Sequence, residues 1–148
     1  MYKNQTGATL IEVLISVIIL SIGLLGLAGL QATSIKSNQS SFYRSQATVL
    51  ANDIADRMRS NRDAAIANEY KIDFPESSKN NKVTGTLAQQ DLADWQNNLA
   101  STLPSGTAKI VFENKLTTII IRWDDSRGDI RSNRENTSTE EFIYRTEI

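Results

Sequence analysis

The chain has 148 residues and nearly balanced charge, 16 Lys and Arg against 17 Asp and Glu, so neither nucleic acid nor an anionic membrane surface is expected as its main partner. It contains no His and no Cys, which excludes a zinc site, a His-based triad, thiolate chemistry and a disulfide staple. Only carboxylates could do chemistry, and none is paired in a recognisable motif, so no catalytic residue, cofactor or metal ligand is expected.

Met1 to Gly7 is polar and carries Lys3. From Ala8 to Leu30 every residue is apolar or small except Glu12. These 23 residues would span roughly 34 Å as a helix, enough to cross a bilayer core of about 30 Å. Lys3 on the short side keeps the N-terminus cytoplasmic and sends the polar remainder beyond the inner membrane. A secretory signal peptide fits poorly, because its apolar region is about 7–15 residues and no A-x-A site follows here. A plain single-span anchor leaves Glu12 unexplained, since an acid in an apolar span is costly and is usually kept for a partner. Glu12 falls one turn after Ala8, near the helix start, where the macrodipole favours it and an ammonium group could meet it.

Gly7-Ala8-Thr9-Leu10-Ile11-Glu12-Val13-Leu14-Ile15 resembles the processing motif of type IV prepilins and type II secretion pseudopilins. The resemblance implies cleavage by prepilin peptidase between Gly7 and Ala8, with N-methylation of Ala8. It makes Glu12 the fifth residue of the processed chain and gives it an assembly role, neutralising the N-terminus of a neighbouring subunit. Ala8 stands where the family usually has Phe.

Gly23, Gly26 and Gly29 recur at intervals of three. They fit either close helix packing or a deliberately weak helix segment, because each Gly costs about 1 kcal/mol against Ala in a helix interior. No Pro interrupts the span, so no sharp kink is expected. Beyond Leu30, Ala47, Leu50, Ala51, Ile54, Ala55 and Met58 recur at helical spacing. The helix is expected to run on to about Ala67, some 90 Å from Ala8. Its second half, residues 31–67, should lay that stripe on a sheet. The charged stretch Ala55 to Asn61 reads as a solvated helix face.

Asn68 to Lys82, with Pro75, reads as a surface loop. Thr86 and Gln89 form a capping-box pattern for a second helix to Ser101, with Leu87, Leu92, Trp95, Leu99 and Leu103 on its apolar side. Lys109–Phe112 and Leu116–Trp123 read as strands around a Glu113-Asn114-Lys115 turn, and Glu141–Ile148 as an edge or closing strand. Asp124 to Thr139 reads as a flexible loop. Asp124, Asp125 and Asp129 do not match an EF-hand spacing and have Arg127 and Arg131 among them, so a solvated turn is expected rather than a calcium site.

The expected fold class is α+β and type IV pilin-like. A leader, residues 1–7, precedes a transmembrane and assembly segment, 8–30, then an amphipathic half-helix, 31–67, and a globular head, 68–148, with a small antiparallel sheet and a short second helix. ATVLANDIADRMRSNRDA, DLADWQNNLASTLPSG and a strand ending in IRWDD resemble the PilV family of type IV pilus minor pilins. The resemblance implies a subunit that helps other minor pilins to initiate pilus assembly at or near the tip. The absence of Cys fits a minor subunit better than a major pilin with a C-terminal disulfide loop. Its implied partners are prepilin peptidase, other minor pilins, the major pilin, the inner-membrane assembly platform and, before assembly, membrane lipid. The implied location is the inner membrane, single-pass with a periplasmic head, and then the cell-surface pilus. A type II secretion pseudopilin is the alternative.

Overall fold

The computed structural model describes residues 9–74, 83–113, 116–128 and 138–148. Its largest element is one helix, α1, Leu10–Ser60, of 51 residues, or about 77 Å. Past Leu30 it keeps Ala and Leu among its polar residues, and neither Gly nor Pro breaks it before Ser60. Ala47, Leu50, Ala51, Ile54, Ala55 and Met58 form its one buried face.

The helix stops short of the expected Ala67. Asn61 leaves helical geometry, at φ −120° and ψ 54°, and a short helix, α2, Arg62–Ile66, follows. The break has a tertiary cause. Asn61 Nδ2 donates to Tyr70 Oη at 3.1 Å, Ala65 enters the core, and Asn68 takes a left-handed conformation at φ 64° to bring Tyr70 back. Asn tolerates that region better than most residues.

The second helix, α3, Leu87–Thr102, starts with the expected capping box of Thr86 and Gln89. Ala88, Leu92, Trp95 and Leu99 bury its inner face. Leu87, expected on that face, is 59 % exposed instead. It is the first helical residue, and Ala88 occupies the inward position one step later. Trp95 Nε1 donates to the Leu50 carbonyl at 2.9 Å, a buried bond that joins α3 to α1.

Three strands make an antiparallel meander in the order β1 (Thr107–Glu113), β2 (Leu116–Asp124), β3 (Thr139–Glu147). All run slightly longer than the apolar patterns alone suggest. Asn114 and Lys115 of the expected turn lie outside the described residues, as does the loop 75–82. Ile110 faces Ile119, and Ile120 pairs with Ile143 across β2 and β3. Strand β2 buries Thr117, Ile119, Ile121 and Trp123 against the helices, every second residue as the pleat requires. Ile72 bridges to Ile110 and covers part of the outer edge of β1. Strand β3 is an edge strand pairing with β2 and touching α1 on its inner side: Arg44 meets Glu140 at 2.7 Å, and Arg59 donates to Thr146 Oγ1. The result is the α+β, pilin-like arrangement, with a long helix and a short one packed on a small sheet.

Trp95 sits where α1 and α3 meet, so truncating it should open the core. Trp95→Ala should cost about 3–5 kcal/mol of head stability, read by chemical denaturation in detergent micelles.

Candidate assembly surface

The first half of α1 is bare. Every residue from Leu10 to Asn38 is exposed, and an apolar stretch of this helix has a mean hydropathy of 2.7 with none of it buried. That length and composition suit a membrane span. The hydroxyls of Ser16, Ser21 and Thr33 bond back into the helix. Ser16 Oγ donates to the Glu12 carbonyl at 2.7 Å, Ser21 Oγ to Val17 at 2.7 Å and Thr33 Oγ1 to Gly29 at 3.1 Å. Such i to i−4 bonds remove the hydroxyl's need for water, which lipid would not supply.

Glu12 is held by its own helix start. Thr9 is the N-cap, and its backbone N–H donates to Glu12 Oε2 at 2.8 Å. Thr9 Oγ1 donates to the same oxygen at 3.0 Å and accepts from the Glu12 N–H at 3.4 Å. This reciprocal capping box places a negative charge at the positive end of the macrodipole. It also leaves the carboxylate within one residue of Ala8. Thr9 is a capping residue that the motif reading passes over, although Thr9-Leu10-Ile11-Glu12 carries its signal, a threonine three residues ahead of an acid. Gly7 and Ala8 lie outside the described residues.

Gly23, Gly26 and Gly29 sit in unbroken helix, and a Cβ built at each would meet nothing within 4 Å. In the single subunit they form an open face rather than a packed one. Their two sequence readings, close packing and weak helix, therefore concern the assembled state.

The head grips α1 at a collar. Ser40 Oγ donates to Asp125 Oδ2 at 2.7 Å. Asp125 is buried, not the solvated turn residue expected from its neighbours. The burial follows from a close approach: a Cβ on Gly128 would stand 2.9 Å from Ser40 Cβ and 2.6 Å from Asp125 Oδ1. Asp124 is solvent-accessible and accepts from the Ser126 N–H at 2.9 Å, which holds its carboxyl below the usual carboxylate range. Asp129 lies outside the described residues.

The charged stretch near Asn61 divides in two. Asp56 and Arg59 pair on the solvent side, as expected. Arg57 instead turns to α3 and faces Asp53 at 3.2 Å, Asp91 at 3.3 Å and Asp94 at 3.0 Å. Partial burial works against the guanidinium, but the bonds and charge of Asp53 and Asp94 outweigh it and raise its pKa. Asp91 Oδ2 also accepts from Tyr70 Oη at 2.6 Å. Burial, and then the bond to anionic Asp91, push the Tyr70 phenol up to about 12. This chain of bonds ties α1, α3 and the segment after α2 together, and it offers no nucleophile beside a base.

Residues 29–97 match the family model of type IV pilin Tt1218, and residues 2–28 match that of the prokaryotic N-terminal methylation motif. No curated protein and no solved structure matches the chain.

Two outcomes test these contacts. Thr9→Ala should remove the cap hydroxyl at a cost of about 1 kcal/mol to the helix start, seen as faster amide exchange at Leu10 to Glu12 in micelles. A folded-state pKa raised above the unfolded one adds stability that is complete below the unfolded value and disappears as pH rises through the folded one. Tyr70 should therefore destabilise the head between about pH 10 and about pH 12. Tyr70→Phe should flatten that part of the stability profile, and an unchanged slope would remove Tyr70 from the explanation.

Proposed function

We propose that the chain is a type IV pilin and, within that family, a minor pilin, processed by prepilin peptidase, that helps other minor pilins to initiate pilus assembly at or near the tip; the matches to a type IV pilin model over residues 29–97 and to the N-terminal methylation motif over residues 2–28 support this reading. The pilin family is structural, and the chain's work is recognition and packing rather than catalysis.

The observation that carries the reading is the bare first half of α1, closed at its start by Glu12. Cleavage between Gly7 and Ala8 would create an ammonium one residue before Thr9. The Glu12 carboxylate, already bonded to Thr9 N–H, would then lie beside that charge and within reach of a neighbour's. Such a pair in a low-dielectric setting offsets desolvation only when its geometry is good, so it favours register more than raw stability. Glu12 thus acts as a registration device. Ala8 is the site of N-methylation, and Gly23, Gly26 and Gly29 allow close packing or local loosening of the helix in the filament.

Before assembly the subunit would sit as a single-pass protein of the inner membrane with its head in the periplasm. Its partners there would be lipid, the peptidase and the assembly platform. After extraction it would join minor and major pilins at the cell surface. Repeated contacts of this head-to-tail kind do not close into a ring, so they produce a filament. The lack of Cys supports a minor subunit, because it removes the disulfide loop common among major pilins.

Glu12→Ala should leave cleavage and membrane insertion intact while depleting the subunit from sheared filaments. Normal recovery of that variant would sink the registration role. Gly7→Val should leave the leader attached, seen as a slower-migrating chain. Loss of protein secretion in a deletion strain, with pili unaffected, would instead support the type II secretion pseudopilin.

A further inference from the structure

Strand β3 leaves one side of the sheet open. It pairs with β2 along its whole length, from Thr139 opposite Asp124 to Glu147 opposite Leu116. Among the described residues no strand pairs with its other side. Every second residue of β3 therefore turns its N–H and C=O away from β2. Such an edge is a template for another strand, and proteins commonly blunt it with Pro, a bulge or a covering element. Strand β3 contains no Pro, and its unbroken register leaves no place for a bulge. The flank of α1 beside it is short-chained. Arg44 and Arg59 reach β3 at Glu140 and Thr146. By helical count Thr48 lies between these two arginines, and its hydroxyl is bonded back to the Arg44 carbonyl at 2.9 Å.

The residues of this edge are complementary to their own reverse. Two copies of Thr139–Glu147 can be set antiparallel with Ile143 facing Ile143. Glu141 of each copy then faces Arg145 of the other, and Phe142 faces Tyr144. Glu140 faces Thr146, and Glu147 faces Thr139, so no like charges are opposed. Ile143, at the centre, is 47 % exposed. Arg145 has no ion pair or hydrogen bond among the described residues. Glu141 already meets Arg122 at 2.6 Å, but a carboxylate accepts at two oxygens and can take a second guanidinium.

We propose that β3 is a self-recognition edge, which pairs antiparallel with β3 of a second copy of this chain about a two-fold axis at Ile143. The two three-stranded sheets then become one continuous sheet. Complementarity selects this occupant. Aromatic, β-branched and opposite-charge pairs across antiparallel strands each add stability, and like charges directly opposite remove it. A parallel, in-register pairing would instead set Glu140, Glu141, Arg145 and Glu147 each against its own copy. The fold also restricts which copies can meet. The contacts of Arg44 with Glu140 and of Arg59 with Thr146 show that α1 and β3 run in the same direction. Antiparallel β3 strands therefore need long helices that point opposite ways. Copies anchored side by side in one membrane point the same way and cannot pair. Copies that face each other from opposed membranes or opposed filaments can. The pairing goes beyond assembly of one filament and does not depend on where the subunit sits in it.

The test uses the full chain inserted in phosphatidylcholine vesicles. Vesicles with outward heads should cluster, read by light scattering. Arg145→Glu and Glu141→Arg each create two like-charge oppositions across the two-fold axis. Each should raise the chain density needed for clustering by roughly tenfold or more. Mixing vesicles of one variant with vesicles of the other should restore clustering, because Glu faces Arg again at both positions. That restoration separates lost complementarity from misfolding. Vesicles of the unaltered chain that stay dispersed overturn the proposal. So does clustering that both variants retain, or that mixing fails to restore.

Discussion

The structure depends on one constraint, a single 51-residue helix that must serve two solvents. A helix satisfies its own backbone, so it can pass from lipid to water without a break. Its side chains must then change character along its length. From Leu10 to Leu30 they are apolar with self-bonded hydroxyls, and from Ala47 on one face is small and apolar while the others are polar. The head exists only where that second pattern begins, because only there does the helix offer a stripe that can be buried against strands rather than a uniformly apolar cylinder.

The small residues of that stripe set how closely the head approaches. Ala47, Ala51 and Ala55 lie at zero exposure and let the sheet and α3 come near the helix backbone, close enough for Trp95 to bond to a helical carbonyl. Ser40 with Asp125, and Arg44 with Glu140, then fasten the collar where α1 leaves the head. These contacts fix the angle at which the bare half leaves the head. At the other end, the network of Arg57, Asp91, Tyr70 and Asn61 holds the place where the helix gives way to the returning chain.

The bare apolar half suits lipid, and Glu12 is its one acid. The capping box gives Glu12 a partner in its own chain, Thr9, so the carboxylate is not left unsatisfied in an apolar setting. A partner outside the chain therefore has to better an existing set of hydrogen bonds.

Residue pattern alone determined the long helix, its change of character, the capping of α3, the three strands and the family motif around Gly7 and Glu12. These are legible because they follow from local periodicity and from caps within one turn. The tertiary structure decided what depends on distant neighbours. It ended α1 at Asn61 rather than near Ala67, because Tyr70 reaches back to Asn61. It buried Asp125, because Gly128 lets that turn touch Ser40, 85 residues earlier in the chain. It turned Arg57 to three carboxylates, two of them on another helix, and left Leu87 in solvent. It also made β3 an edge rather than a closing strand, because among the described strands β3 pairs with β2 alone, and alternation along a strand does not by itself say how many neighbours it has.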